Sequence, residues 1–133
     1  MKLFTDEQYQ QLLKNGADPD KNYPPVAHLF MPWGRAEWLI SEINPKFPHI
    51  AFGLCDLGMG SPELGYVDLE ELKAVRAGPF QLGIENNDHF EAKYPMSIYV
   101  AASKVAGAIS RNEPLLRKLY AMELAKKQNT PKP

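Results

Sequence analysis

The sequence predicts an α+β fold: a single domain over residues 1–127, built on an antiparallel sheet of about four to five strands with helices on one face and a C-terminal helix pair, followed by a disordered tail over 128–133. Three observations predict it. Apolar runs of strand length recur at 26–31, 36–43, 50–55 and 64–67, and each gap carries proline, glycine or asparagine. Stretches with helical spacing and recognisable caps stand outside that block, before it and after it. The segment 56–63 between the last two runs reads as a tightly turned, hairpin-like loop, which joins antiparallel neighbours.

Taken in order, Thr5 with Gln8 three residues on has capping-box spacing, and Tyr9, Leu12 and Leu13 supply an apolar stripe that Asn15 and Gly16 close. Residues 17–25 are polar and proline-rich and lead into the first strand at 26–31. Pro32, Trp33 and Gly34 turn the chain back into 36–43, where Trp38 and Ile40 share one face and Leu39 and Ile43 the other, so both faces are at least partly covered. Asn44, Pro45, Lys46, Phe47 and Pro48 form the next turn, because two prolines fix the local dihedrals and remove backbone donors. In 50–55, Ile50, Phe52 and Leu54 alternate with Ala51, Gly53 and Cys55, which gives a bulky face and a small face able to accept a close neighbour. Residues 56–63 read as a hairpin-like acidic loop, and Gly65 inside the strand 64–67 marks a bulge or a close backbone approach.

Asp68 is placed to cap a helix carrying Leu69, Leu72 and Val75, stopped by Gly78 and Pro79. Residues 80–84 are a candidate edge strand, 85–88 a polar turn, and Phe90 the start of a candidate last strand that breaks before Pro95. Ile98, Ala101, Ala102, Val105 and Ile109 then fall at helical spacing. Asn112 caps a final helix whose Leu115, Leu116, Leu119, Tyr120, Met122 and Leu124 make a wide apolar stripe.

Composition narrows the function classes. With 44% apolar and 11% aromatic residues the chain can bury a core, and its formal net charge of −1 gives no overall attraction to nucleic acid or anionic lipid. No apolar run is long enough to span a bilayer and the start turns acidic at Asp6 and Glu7, so the expectation is a cytoplasmic protein. Cys55 is the 1 cysteine, which excludes an internal disulfide and a multi-cysteine zinc site; mid-strand, it reads as a small buried hydrophobe.

The carboxylates Glu37, Glu42, Asp56, Glu63 and Asp68 gather near strand ends, where two or three would suffice to hold a divalent cation. The competing reading is that Asp56 and Glu63 accept backbone N–H bonds in their own loop while Asp68 caps a helix. His28, His49 and His89 are isolated, and a general-base role would need a carboxylate delivered by folding. Gly58-Met59-Gly60 is too short for a dinucleotide fingerprint, and neither a nucleophile elbow nor a Walker-type loop occurs. No catalytic residue, metal ligand or cofactor is therefore assigned. The last helix carries Arg111, Arg117, Lys118, Lys126 and Lys127 against Glu113 and Glu123, a local basic excess suited to phosphates or to a solvated helix end. The aromatics Tyr23, Phe30, Trp33, Trp38 and Tyr66 exceed the needs of a small core and offer anchors for a protein partner.

At Trp38, Leu39 and Glu42, at Pro45, through 51–58, at Gly60 and through 62–67, the chain closely resembles a small bacterial family known as domain of unknown function number twenty-nine fifty-eight. The likeness continues through Leu69, Glu71, Leu72, Leu82, Ile84, Glu85 and Phe90 to Ser97, Ile98 and Tyr99. It implies cargo of plasmids, integrative elements and phages, often beside anti-restriction and conjugation genes, and brings no activity with it. Where the family pattern usually carries an Arg-Asp pair after Glu85, this chain has Asn86 and Asn87.

The resulting expectation is a non-enzymatic, macromolecule-binding accessory protein of mobile elements, with an anti-restriction or anti-CRISPR type among its forms, that contacts a protein partner. Its candidate binding residues are Trp33, Trp38, Tyr66, Asp56, Glu63, Arg117 and Lys118. Two alternatives stand beside it: a small metal-dependent enzyme using the loop carboxylates, and a DNA-associated accessory factor using the basic helix.

Overall fold

Thr5 caps the first helix as its spacing predicts: its hydroxyl accepts from the Gln8 backbone N–H at 3.1 Å while the Gln8 side chain accepts from the Thr5 N–H at 3.0 Å. The computed structural model describes residues 2–128, so the expected tail falls, apart from Gln128, outside the described residues. The helix so capped is α1 (Asp6–Ala17), running past Gly16 by one residue. Four strands come next, β1 (Ala27–Phe30), β2 (Glu37–Ile43), β3 (Ile50–Asp56) and β4 (Glu63–Asp68), then α2 (Leu69–Ala74), β5 (Glu85–Asn86), α3 (Met96–Ala106) and α4 (Glu113–Gln128).

Every strand pairing is antiparallel, and the spatial order is β4-β3-β2-β1-β5. The first four strands form a meander because the turns between them are short. Asn44 shapes one of them, its carbonyl accepting from Phe47 N–H and its side chain from Lys46 N–H. The fifth strand is not where the sequence places an edge. Residues 78–81 form a turn closed by an Ala77–Leu82 bridge, residues 83–84 are in no strand, and the polar pair Glu85–Asn86 pairs with β1 instead. The stretch from Phe90 forms no strand.

The fold class is as expected, with one correction to its layering: helices cover both faces of the sheet. One core gathers Leu12 of α1, Leu69 and Leu72 of α2, and Leu29, Trp38, Ile40, Ile43 and Ala51 from the sheet. The other gathers Leu39 and Leu54 from the opposite face with Met96, Ile98, Tyr99 and Ala102 of α3, Ile109 and Leu116 of α4. Ile43 joins Trp38 and Ile40, rather than Leu39, because the β2–β3 register shifts between Ile40 and Glu42; the extra residue flips the end of the strand to the other face.

The small face of β3 is small for a reason. A Cβ on Gly53 would lie 2.0 Å from the Leu39 carbonyl oxygen, so only glycine permits this strand approach. Asp68 caps α2 by accepting from the Glu70 and Glu71 N–H groups, and Asn112 caps α4 through Leu115 N–H at 3.0 Å. The wide stripe of α4 is only partly used: Leu116 is buried, while Met122 and Leu124 are exposed. Among the described residues no helix is long and apolar enough to cross a membrane.

Candidate functional site

The acidic loop after β3 is a brace. Asp56, 2% exposed, accepts from Gly58 N–H at 2.8 Å through Oδ1 and from Ile109 N–H at 2.9 Å through Oδ2. The first bond is the local turn that an Asp two residues before a glycine is expected to make. The second reaches across the fold to the α3–α4 connection, so one carboxylate fixes both segments with charge-assisted bonds. Gly58 has φ +81°, and a Cβ there would meet the Arg35 Cβ at 2.9 Å; the turn is thereby seated on the β1–β2 connection.

The remaining acids do not join Asp56. Glu63 is exposed at the start of β4, Asp68 is engaged as a cap, and among the described residues no three His, Cys, Asp or Glu side chains gather as a metal site. Cys55 is half-buried against the first core, and burial pushes its thiol pKa up, away from thiolate reactivity.

Beside this brace lies a constellation that the sequence does not assemble. His28 faces the same side of the sheet as Glu37 because Phe30, two residues on, pairs directly with Glu37. His28 is 3% exposed, and its Nε2 stands 2.8 Å from Glu37 Oε1. Its Nδ1 stands 3.2 Å from the Asn87 amide nitrogen, and Asn87 is itself anchored by its backbone N–H to the His28 carbonyl. With Asn87 donating to Nδ1, the ring proton sits on Nε2 and is donated to Glu37, which orients that carboxylate. Phe30 stacks on the imidazole at 5.6 Å and Phe90 lies tilted at 5.8 Å. Glu37 borders a cleft of about 450 Å³ whose walls include Arg35, Asp88 and Arg111. Asn86, next in line, ties β5 to the N-terminal segment by donating to the Leu3 carbonyl at 2.9 Å and to Gln8 Oε1 at 2.7 Å.

The same sheet face is bare at its other end. Tyr66 of β4 pairs with Phe52 of β3, and the two rings meet edge-on at 5.3 Å. Tyr66 is 80% exposed, and Leu64 on the same side of β4 is also exposed. Ile50, Phe52 and Tyr66 line a groove of about 730 Å³ with Asp20 and Glu42. Burial first, then the negative charge of Asp20, raises the Glu42 carboxyl above its ordinary range. β4 is also the outer strand, so one side of its backbone has no partner strand.

Of the aromatic candidates, Tyr66 is thus at the surface and Trp38 is not: Trp38 is buried in the first core, where its face of β2 is covered, and presents nothing to a partner. Trp33 is half-exposed and lies over the backbone of Gly78, where a Cβ would stand 2.5 Å from its ring. Arg117 and Lys118 are exposed on α4. Sequence reasoning passes over Arg35, and it names His28 only as an isolated histidine, Glu42 only as one of five carboxylates and Asn87 only as a departure from the family pattern. Their grouping depends on strand register across a six-residue connection, and no spacing rule supplies that.

Residues 3–110 match the model of the family described as "Protein of unknown function (DUF2958)". No curated protein and no solved structure matches the chain.

Proposed function

We propose, given that the chain belongs to the DUF2958 family of proteins of unknown function, that it is a non-enzymatic binding protein whose partner is an extended, basic segment of another protein. The segment docks on the open end of the sheet, along β4. The observation that carries this reading is Tyr66, which leaves 80% of its surface to solvent on an outer strand, against Phe52 and beside an uncovered groove. Such a strand gives main-chain hydrogen bonds to an added strand and pockets for its alternate side chains. An aromatic so placed is the residue type that most often anchors an interface.

Charge selects the occupant. Glu63 stands at one end of β4 and Asp68, Glu70 and Glu71 at the other, while Asp20 and Glu42 border the groove. Self-pairing of β4 would bring two copies of this acidic edge together, a like-charge approach that disfavours a second copy. Lysines or arginines on the incoming strand relieve the same charges and stack on Tyr66 or Phe52. The resemblance drawn from the sequence supplies the setting we infer, an accessory role in mobile-element maintenance or in countering host defence. Arg117 and Lys118 lie beyond the matched residues, which favours the sheet over the basic helix as the shared binding surface.

The test measures binding of extended Lys- and Arg-containing peptides, with acidic peptides of equal length and duplex DNA as competitors. Basic peptides should shift backbone resonances of β4, and Tyr66→Ala should weaken binding by at least about tenfold, the loss of roughly 1.4 kcal/mol. Equal binding of acidic peptides, indifference to Tyr66→Ala, or salt-steep DNA binding abolished at Arg117 and Lys118 would overturn the reading.

A further inference from the structure

We propose that the cleft between the β1–β2 connection and the α3–α4 connection is a separate binding site for a small hydroxylated phosphate, the chemistry shared by sugar phosphates and nucleotides. It lies on the closed end of the sheet face, away from Tyr66.

Arg35 and Arg111 enter this cleft from different elements, and neither guanidinium makes an ion pair or a hydrogen bond among the described residues. Their backbones are nevertheless held. Gly58 rests on Arg35, and the Ile109 N–H held by Asp56 is two residues before Arg111. Two exposed side chains on anchored backbone, with uncommitted planar forks, suit a phosphate group, which guanidinium binds through paired N–H donors.

Glu37 decides what else the ligand carries. Its Oε1 accepts from His28 Nε2, and the side chain remains 27% exposed toward the cleft. The second carboxylate oxygen is therefore an oriented acceptor for a hydroxyl or amine. Glu37 and Asp88 together balance the two arginines, so a bare anion gains little from the field of the cleft as a whole. A phosphate that brings a hydroxyl donor to Glu37 uses both halves of the site. The cleft volume of about 450 Å³ accommodates a molecule of that size.

The full chain is titrated with ribose 5-phosphate and, separately, with inorganic phosphate while side-chain and backbone NMR signals are followed. Ribose 5-phosphate should produce saturable shifts at Arg35 and Arg111 Nε–H and at the backbone of residues 35–37, with an affinity at least about tenfold tighter than phosphate, the gain of roughly one hydrogen bond to a charged group. Arg111→Ala, a change at an exposed side chain, should abolish those shifts; Tyr66→Ala should leave them intact, which separates this site from the peptide groove. Absence of saturable shifts, persistence in Arg111→Ala, or equal affinity for inorganic phosphate would overturn the proposal.

Discussion

Leu54 and Phe52 stand two residues apart on the same face of β3, yet Leu54 is fully buried beneath α3 and α4 while Phe52 lies partly open beside Tyr66. The strand is uniform; the cover is not. What decides the boundary is where the α3–α4 pair is pinned, and Asp56 pins it by holding Ile109. The closed end consequently ties its buried polar groups Asp56 and His28 into the fold, and among the described residues only the Asn86 Oδ1 beside them is buried without a partner. The open end has an aromatic pair, an unpaired strand edge and two neighbouring carboxylates. A region organised to hold itself together thus adjoins one that leaves its interactions incomplete.

Breaking the pin is the strongest challenge to that contrast. Asp56→Ala leaves two backbone N–H groups without their charged acceptor, and the expected destabilisation is about 4 kcal/mol by urea denaturation. Amide exchange at Gly58 and Ile109 should accelerate beyond the global effect. A loss within the usual range of surface substitutions would show that Asp56 does not set the boundary.

The cross-strand glycines sharpen the contrast at lower energy. Gly53 and Gly65 pair directly. A Cβ on Gly53 collides with the Leu39 carbonyl oxygen, whereas one on Gly65 meets nothing within 4 Å. Gly53→Ala should cost about 3 kcal/mol, as overpacking does, and Gly65→Ala should gain about 0.5 kcal/mol from reduced chain entropy and better strand propensity. Equal effects at the two positions, measured by thermal and urea unfolding, would erase the distinction between the central and outer strands.

Much of this was legible in the chain. Turn chemistry marked the first four strands, Thr5, Asp68 and Asn112 announced their helices, and Asp56 before Gly58 signalled a local turn. What escaped is long-range or too short to have a period. The register shift after Ile40 leaves no mark in the alternation, so Ile43 reads onto the wrong face. Apolar residues on both faces of β2 announced at least partial cover of each, but alternation alone does not say what supplies it, and the helices were expected on one face only. Two residues of β5 cannot show a period, and Glu85 and Asn86 are polar. The bond from Ile109 to Asp56 spans 53 positions, and the His28–Glu37 contact needs a register that sequence does not print.

The smallest effect tests the open end from within. Burial and the charge of Asp20 raise the Glu42 carboxyl in the folded protein above its unfolded value. Just above the ordinary carboxylate range the folded chain therefore keeps a proton that the unfolded chain has lost, and stability falls as pH rises through that window. Glu42→Gln removes the penalty. It should leave stability unchanged at pH 3, where both forms are neutral, and increase it slightly at pH 7, by no more than about 0.5 kcal/mol. Denaturation midpoints of the two proteins across pH would show the curves diverging on the alkaline side; a constant offset would mean that packing, not charge, separates them. The same variant should bind basic peptides more weakly, because the carboxylate that burdens the free protein is the one a cation relieves. Gain in stability with loss of binding would identify Glu42 as a charge left uncompensated until a partner arrives.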